Sequence, residues 1–218
     1  MNTVASMATG ADVARALLSI KAVFLRPEEP FTWASGIKSP IYCDNRLSLS
    51  YPEVRTLVDE ALAAKVASLY PDTEMLMGTS TAGIAHAAIA ADRLGLPMGY
   101  VRGSAKDHGR KNQIEGRLER GEKVVVIEDL ISTGGSVLDC VRPLRNAGAC
   151  VLGVIAIFSY GMKRATERLS AEKVEATSLS NLDQLLKVAV TEGYLKSDDE
   201  QRLLNFRDNP ADESWMAR

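Results

Sequence analysis

Residues 123–160 read as strand, helix, strand, and both strands are apolar almost without a break. "KVVVIED" (123–129) is followed by "GSVLDCVRPLRNAG" (135–148) and then "CVLGVIAIFSY" (150–160). A strand with one face in water alternates apolar and polar residues, so a continuous apolar run needs cover on both faces. The alternation continues on either side. "TEMLMG" (73–78) and "PMGYVR" (97–102) read as strands around the small-residue helix "GIAHAAIAADRLG" (83–95). Downstream, "MKRATERLSAEK" reads as a helix, "VEATSL" as a short strand, and "NLDQLLKVAVTEG" as a helix capped by Asn181. Such a pattern predicts an α/β protein: a central parallel sheet flanked by helices. Ligands in these sheets lie beyond the carboxyl ends of the strands.

The flanks are less regular. Residues 10–25 carry apolar positions at helical spacing and predict one amphipathic helix. Residues 26–46 contain prolines, a glycine and aromatics, which predict short strands or a small lobe. "YPEVRTLVDEALAAKVASLY" reads as a helix with Pro52 and Glu53 in its first turn. One more helix is expected in the tail. With 218 residues, a single domain is expected over 1–218, with an N-terminal lobe at about 10–50 and a core at about 51–190.

Composition narrows the function classes. The formal net charge is −2, which gives no global attraction for nucleic acid or an anionic membrane. The three cysteines, Cys43, Cys140 and Cys150, are scattered and form no CxxC, so neither a disulfide framework nor a zinc site is expected. A reducing cytoplasm fits best. No basic region leads into a long apolar run at the start, so no signal peptide is expected. No run is long enough to span a bilayer.

"EDLISTGGS" (128–136) sets the chemical question. Apolar strand, turn, then helix is the setting for an anion site, because the first helical N–H groups lack intrahelical partners. Ser132, Thr133 and Ser136 add hydroxyls, and Gly134 and Gly135 admit close approach. Neither GxxxxGK[ST] nor GxGxxG is present. Glu128 and Asp129 would repel a phosphate, but two adjacent acids suit the vicinal hydroxyls of a sugar. The site then reads as a phosphorylated ribose. The plainer alternative is a solvated strand end followed by an ordinary turn.

The same nine residues resemble the phosphoribosyl-diphosphate signature of the type I phosphoribosyltransferases. The resemblance implies that Glu128 and Asp129 hold the ribose hydroxyls. It also implies that Leu130 and Ile131 belong to the phosphoribosyl-diphosphate site and that Ser132, Thr133, Gly134, Gly135 and Ser136 wrap the 5′-phosphate. Two further segments narrow the family. "FTWASGIKSPIY" (31–42) resembles the N-terminal signature of orotate phosphoribosyltransferases, and "VRGSAKDHGRKNQIEG" (101–116) resembles their catalytic loop. Implied with them are the family fold with a small N-terminal hood, a homodimer that shares this loop between subunits, and Mg²⁺ carried mainly by substrate oxygens.

The span 102–120 holds six Lys or Arg against three acids. Arg102, Lys106 and His108 are the expected catalytic and diphosphate-binding cations, since the leaving pyrophosphate gains charge in the transition state. Arg110, Lys111, Arg117 and Arg120 read as solvated. "GTSTAG" (78–83) matches the position of the family's pyrophosphate loop, with Thr81 and Ala82 as backbone contacts. Ser132, Tyr42 and Cys43 are the orotate-site candidates; packing of the hood on the core explains Tyr42 and Cys43 equally well. Two departures stand out. Ala34 and Gly103 occupy positions where many members carry Lys, and Lys38 lies near enough to compensate for the first. Lys163 and Arg164 lie near, but out of register with, the arginine that some members use for the orotate carboxylate. His86, inside a small-residue helix, reads as structural. The function expected is transfer of phosphoribose to orotate. The alternatives are a purine-base transferase or a non-enzymatic sensor of phosphoribosyl diphosphate.

Overall fold

The structure, a computed structural model, describes residues 8–33, 36–103 and 113–217. Its centre is a six-stranded sheet. The strands are β5 (Met75–Thr79), β6 (Met98–Val101), β7 (Ile114–Glu115), β8 (Lys123–Ile131), β9 (Cys150–Ser159) and β10 (Ala176–Asn181). Their spatial order is β10-β9-β8-β5-β6-β7, and all neighbours are parallel except the edge pair β6–β7. The return strand β7 falls inside the segment expected to be an open loop. Pairing of Tyr100 with Glu115 and Val101 with Ile114 closes that segment at its base into a hairpin.

Both faces of the sheet are covered, as the unbroken apolar runs require. Along β8, Val125 and Ile127 join one core with Leu76 and Ile155. Their neighbours Val124 and Val126 join the other core with Met75, Met77 and Val154. The first core lies under α1 (Gly10–Ser19), α2 (Pro52–Leu69), α3 (Ala82–Leu94) and α6 (Leu182–Thr191). The second lies under α4 (Gly135–Asn146) and α5 (Lys163–Ala171). Asn181 caps α6 as expected, its side chain accepting from Gln184 N at 3.0 Å. Gly83 lets α3 press on β8, since a Cβ there would collide with the Ile127 carbonyl and with Thr79 Oγ1.

The first helix is shorter than its periodicity predicts. It ends at Ser19, Lys21 turns the chain at φ 55, and Val23–Leu25 becomes β1. The Ala22 and Lys21 N–H groups fold back on the Leu17 and Leu18 carbonyls at 2.9 and 3.0 Å, which closes the helix. β1 pairs antiparallel with β4 (Ile41–Cys43), and β2 (Phe31–Thr32) with β3 (Lys38–Ser39). These two ribbons form the hood. A 3-10 turn at Asn45–Ser50 joins them to α2.

Aromatic contacts fasten the hood to the core. Trp33 stacks on Tyr160 at 6.1 Å and meets the edge of Phe206 at 5.8 Å; Phe206 in turn meets Trp215 at 5.7 Å. Phe206 belongs to α7 (Ser197–Asp208), so the tail acts as a buttress for the hood. Phe206 and Trp215 are buried. Phe206→Ala is expected to cost about 3–5 kcal/mol, read as a lower midpoint in urea unfolding; an unchanged midpoint would show that the tail does not support the lobe.

Candidate active site

β8 is the longest strand through the sheet centre after β9, and it runs to Ile131, so both acids sit in the strand itself. Leu130 and Ile131 pack into the two cores and can offer a ligand only their main chain. The turn proper is therefore short: Ser132, Thr133 and Gly134, with α4 starting at Gly135. Gly134 has φ 77, a left-handed conformation that a side chain would strain. The first N–H groups of α4, from Gly135 and Ser136 onward, point out of the helix end toward this turn.

The two acids differ in burial and in partners. Glu128 lies on the α4 side and is only 3% exposed. Its Oε1 accepts from Thr79 Oγ1 at 2.6 Å and from the Asp129 N–H at 2.9 Å; Oε2 accepts from Ser136 Oγ at 2.8 Å. A buried carboxylate needs such donors, because burial without them is costly. Glu128 thus ties the end of β5 to the first turn of α4. Asp129 is half-buried and lies on the hood side. Asn45 Nδ2 donates to its main-chain carbonyl at 2.7 Å. Burial, and next the adjacent Glu128 carboxyl, push the Asp129 pKa from an ordinary 3.8 up to about 7.

The other expected residues fall around this strand end. Thr81 is exposed and precedes α3, whose first residue is Ala82; a cis peptide joins Ser80 and Thr81. Ser80 Oγ donates to the Val101 carbonyl, which ties this turn to the base of the 101–114 hairpin. Arg102 stands at that base. Its N–H bonds the Gln113 carbonyl at 2.8 Å, and its guanidinium rests 3.7 Å from Glu115 Oε1. Lys106 and His108 lie outside the described residues, as do Ala34, Arg110 and Lys111. In the hood, Tyr42 is 40% exposed and leans on Phe31 at 5.5 Å. Cys43 faces inward: its thiol donates to Asn45 Oδ1 at 3.2 Å, and burial pushes its pKa well up. Lys38 Nζ bonds Thr32 Oγ1 at 2.7 Å within the hood.

Two contributors were not singled out from the sequence. Thr79 fell within the "GTSTAG" turn and Asn45 at the end of the N-terminal lobe, neither with a role of its own; only the fold brings them to Glu128 and Asp129. The polar "CDN" (43–45) directly after the hood signature was the one available hint. Among the described residues, no group of three or more His, Cys, Asp or Glu side chains converges as a metal cluster, and no helix is long and apolar enough to cross a membrane.

Comparison with known proteins agrees with this geometry. The family model described as "Phosphoribosyl transferase domain" matches residues 50–188. A protein named orotate phosphoribosyltransferase from Streptococcus mutans is 53% identical over 210 residues, covering 96% of this chain and all of its own length. This chain belongs to the orotate phosphoribosyltransferase family. Among solved structures, the orotate phosphoribosyltransferase of Aeropyrum pernix superposes with a TM-score of 0.67 at 29% identity, covering 80% of this chain and 97% of that one. The UMP synthase of Leishmania donovani superposes with a TM-score of 0.77 at 27% identity, covering 92% of this chain and 42% of that longer one.

The Asp129 shift has a consequence for stability. Its folded pKa is raised, so its contribution is fully present below 3.8 and is lost as pH rises through about 7. Asp129→Asn removes that ionisation. It is expected to raise the melting temperature at pH 8 and to leave it nearly unchanged at pH 4, with about 2–4 °C for each kcal/mol relieved. Equal shifts at both pH values would contradict the cause given.

Proposed function

We propose that the protein is an orotate phosphoribosyltransferase in which Asp129 receives the ribose of phosphoribosyl diphosphate. The carrying observation is a half-buried acid near the end of β8, two strand residues before the Ser132–Gly134 turn and the N-terminus of α4. Orotate N1 bonds to C1′ of phosphoribosyl diphosphate, the C1′–O bond to pyrophosphate breaks, and the proton carried by N1 passes to solvent or to the departing pyrophosphate. The products are orotidine 5′-monophosphate, a precursor for pyrimidine nucleotides, and pyrophosphate. The chain supplies position and charge; no covalent intermediate is needed.

The roles follow from placement. The ionised Asp129 carboxylate accepts from the ribose hydroxyls, and Glu128 serves beside it by holding the turn. Ser132, Thr133 and the N–H groups of Gly135 and Ser136 receive the 5′-phosphate at the helix end. Thr81 and Ala82 meet the diphosphate through backbone groups. Arg102, Lys106 and His108 close over the leaving group, where charge develops, so their contacts are strongest in the transition state. Ser132 together with Tyr42 and Cys43 frames the orotate, Cys43 through its main chain.

Mg²⁺ bound with the diphosphate would neutralise part of its charge. Glu128 already accepts from three protein donors, so Asp129 is the one acid of the pair free to reach toward the ion. That donor set fits an ion held mainly by substrate oxygens. The working assembly is a cytoplasmic homodimer, each subunit a single unit of hood and core, with the 102–113 segment reaching the neighbouring site.

Pyrophosphate release is expected with orotate and not with adenine, guanine or hypoxanthine. Turnover of a purine alone would replace this reading, and binding of phosphoribosyl diphosphate without turnover of any base would make the protein a sensor. Lys106→Ala is expected to lower kcat by roughly 10²-fold or more, with smaller changes in KM; unaltered kcat removes Lys106 from the mechanism. Mixing Lys106→Ala with Asp129→Asn protein is expected to restore part of the activity if subunits share sites, and none if they do not.

A further inference from the structure

A buried polar chain runs from the core to the Asp129 main chain. Asp59 on α2, His86 on α3, and Ser48 and Asn45 in the 3-10 turn are all fully buried. Asp59 Oδ1 lies 2.6 Å from His86 Nδ1, and Ser48 Oγ lies 3.2 Å from His86 Nε2. Ser48 Oγ donates to the Asn45 carbonyl at 2.6 Å, and Asn45 Nδ2 donates to the Asp129 carbonyl at 2.7 Å. Cys43 supplies the remaining bond, its thiol donating to Asn45 Oδ1 at 3.2 Å.

Proton counting fixes the directions. The Ser48 hydroxyl has one proton, and it goes to the Asn45 carbonyl. His86 Nε2 must then donate to Ser48 Oγ. One more proton lies between His86 Nδ1 and Asp59 Oδ1, so the buried pair is neutral overall whichever atom carries it. The Asn45 amide is oriented by the same logic, since only its Nδ2 can serve a carbonyl and only its Oδ1 can receive a thiol proton.

The destination has its own logic. β5 pairs with β8 only as far as Gly78 and Ile127. In a parallel ladder, alternate carbonyls point to the same side, so that of Asp129 follows that of Ile127 toward a strand that has already ended. Asn45 supplies the donor that β5 would have given. Filling this space with apolar residues would avoid the desolvation of four polar groups, so stability alone is a poor reason for the chain. Asp59 Oδ2 even lacks a hydrogen-bond partner among the described residues.

We propose that Asn45 is a positioning residue for phosphoribosyl transfer. Held by the Ser48–His86–Asp59 chain, it fixes the Asp129 peptide, and with it the direction of the carboxylate that meets the ribose. Because Asn45 is also bonded to Cys43, it couples the base side of the site to the ribose side. The inference rests on the ribose role of Asp129, and its test keeps the two apart.

The test is a double-mutant cycle in kcat/KM for phosphoribosyl diphosphate, with Asn45→Ala, Asp129→Asn and the double variant. Asn45→Ala is expected to lower kcat/KM about tenfold, through loss of its hydrogen bonds to the Asp129 carbonyl and from the Cys43 thiol, with that carbonyl left unpaired. Asp129→Asn is expected to lower it at least as much, and the double variant to match Asp129→Asn alone. Effects that multiply, or an Asn45→Ala enzyme with normal kinetics, would overturn the proposal while the ribose reading stands. Normal kinetics in Asp129→Asn would instead remove the ribose reading and this proposal with it. Should Asn45→Ala fail to fold, Ser48→Ala takes its place in the same cycle; it loosens the anchor one bond further from the site and is expected to give a smaller loss, again absent in the Asp129→Asn background.

Discussion

Glu128 is a carboxylate placed where water does not reach, and the site is arranged around the donors that this requires. Thr79 reaches it from the end of β5, Ser136 from the first turn of α4, and the Asp129 N–H from its own strand. The end of β5, β8 itself and the first turn of α4 are thereby drawn to one pair of oxygens. The spacing between the turn after β5 and the turn after β8 follows from those bonds. A shift in any of them would leave a buried charge short of a partner, which costs more than the bond itself contributes.

Asp129 carries the opposite compromise. Its neighbour and its burial both resist its ionisation, yet a carboxylate is what ribose hydroxyls bind best. Burial and the neighbouring carboxyl thus favour its protonated form, and donors or cations brought close to it would offset that. Perturbed groups of this kind gather at functional sites for that reason. Pressure on the side chain also makes the direction of its main chain matter, and Asn45 holds that main chain in place.

Much of the architecture was legible because it depends on local pattern. The unbroken apolar runs at 124–127 and 150–158 demanded two covered faces, and the Asn181 cap and the Pro52 start sit where their side chains and ring dictate. The misreadings also have local causes. Residues 20–25 keep helical spacing, but the turn at Lys21 hands them to β1, where pairing with β4 outweighs helical propensity. Residues 102–120 looked like an unstructured basic loop, because a two-residue strand such as β7 leaves no periodic trace.

The sequence by itself determined the family chemistry: strand, paired acids, hydroxyl-and-glycine turn and helix end, in an order that suits a phosphorylated sugar. It could not say which acid faces which way. That follows from where Thr79, Ser136 and Asn45 arrive on β8, and the arrivals of Thr79 and Asn45 are long-range. The tertiary structure sent Glu128 inward as a tie and left Asp129 as the acid on the hood side. It also turned His86, a lone histidine in a small-residue helix, into one link of a buried chain ending at the Asp129 carbonyl. A hydrogen bond is specific to atoms brought within about 3 Å, and no spacing along the chain encodes a meeting between residues 45, 59, 86 and 129.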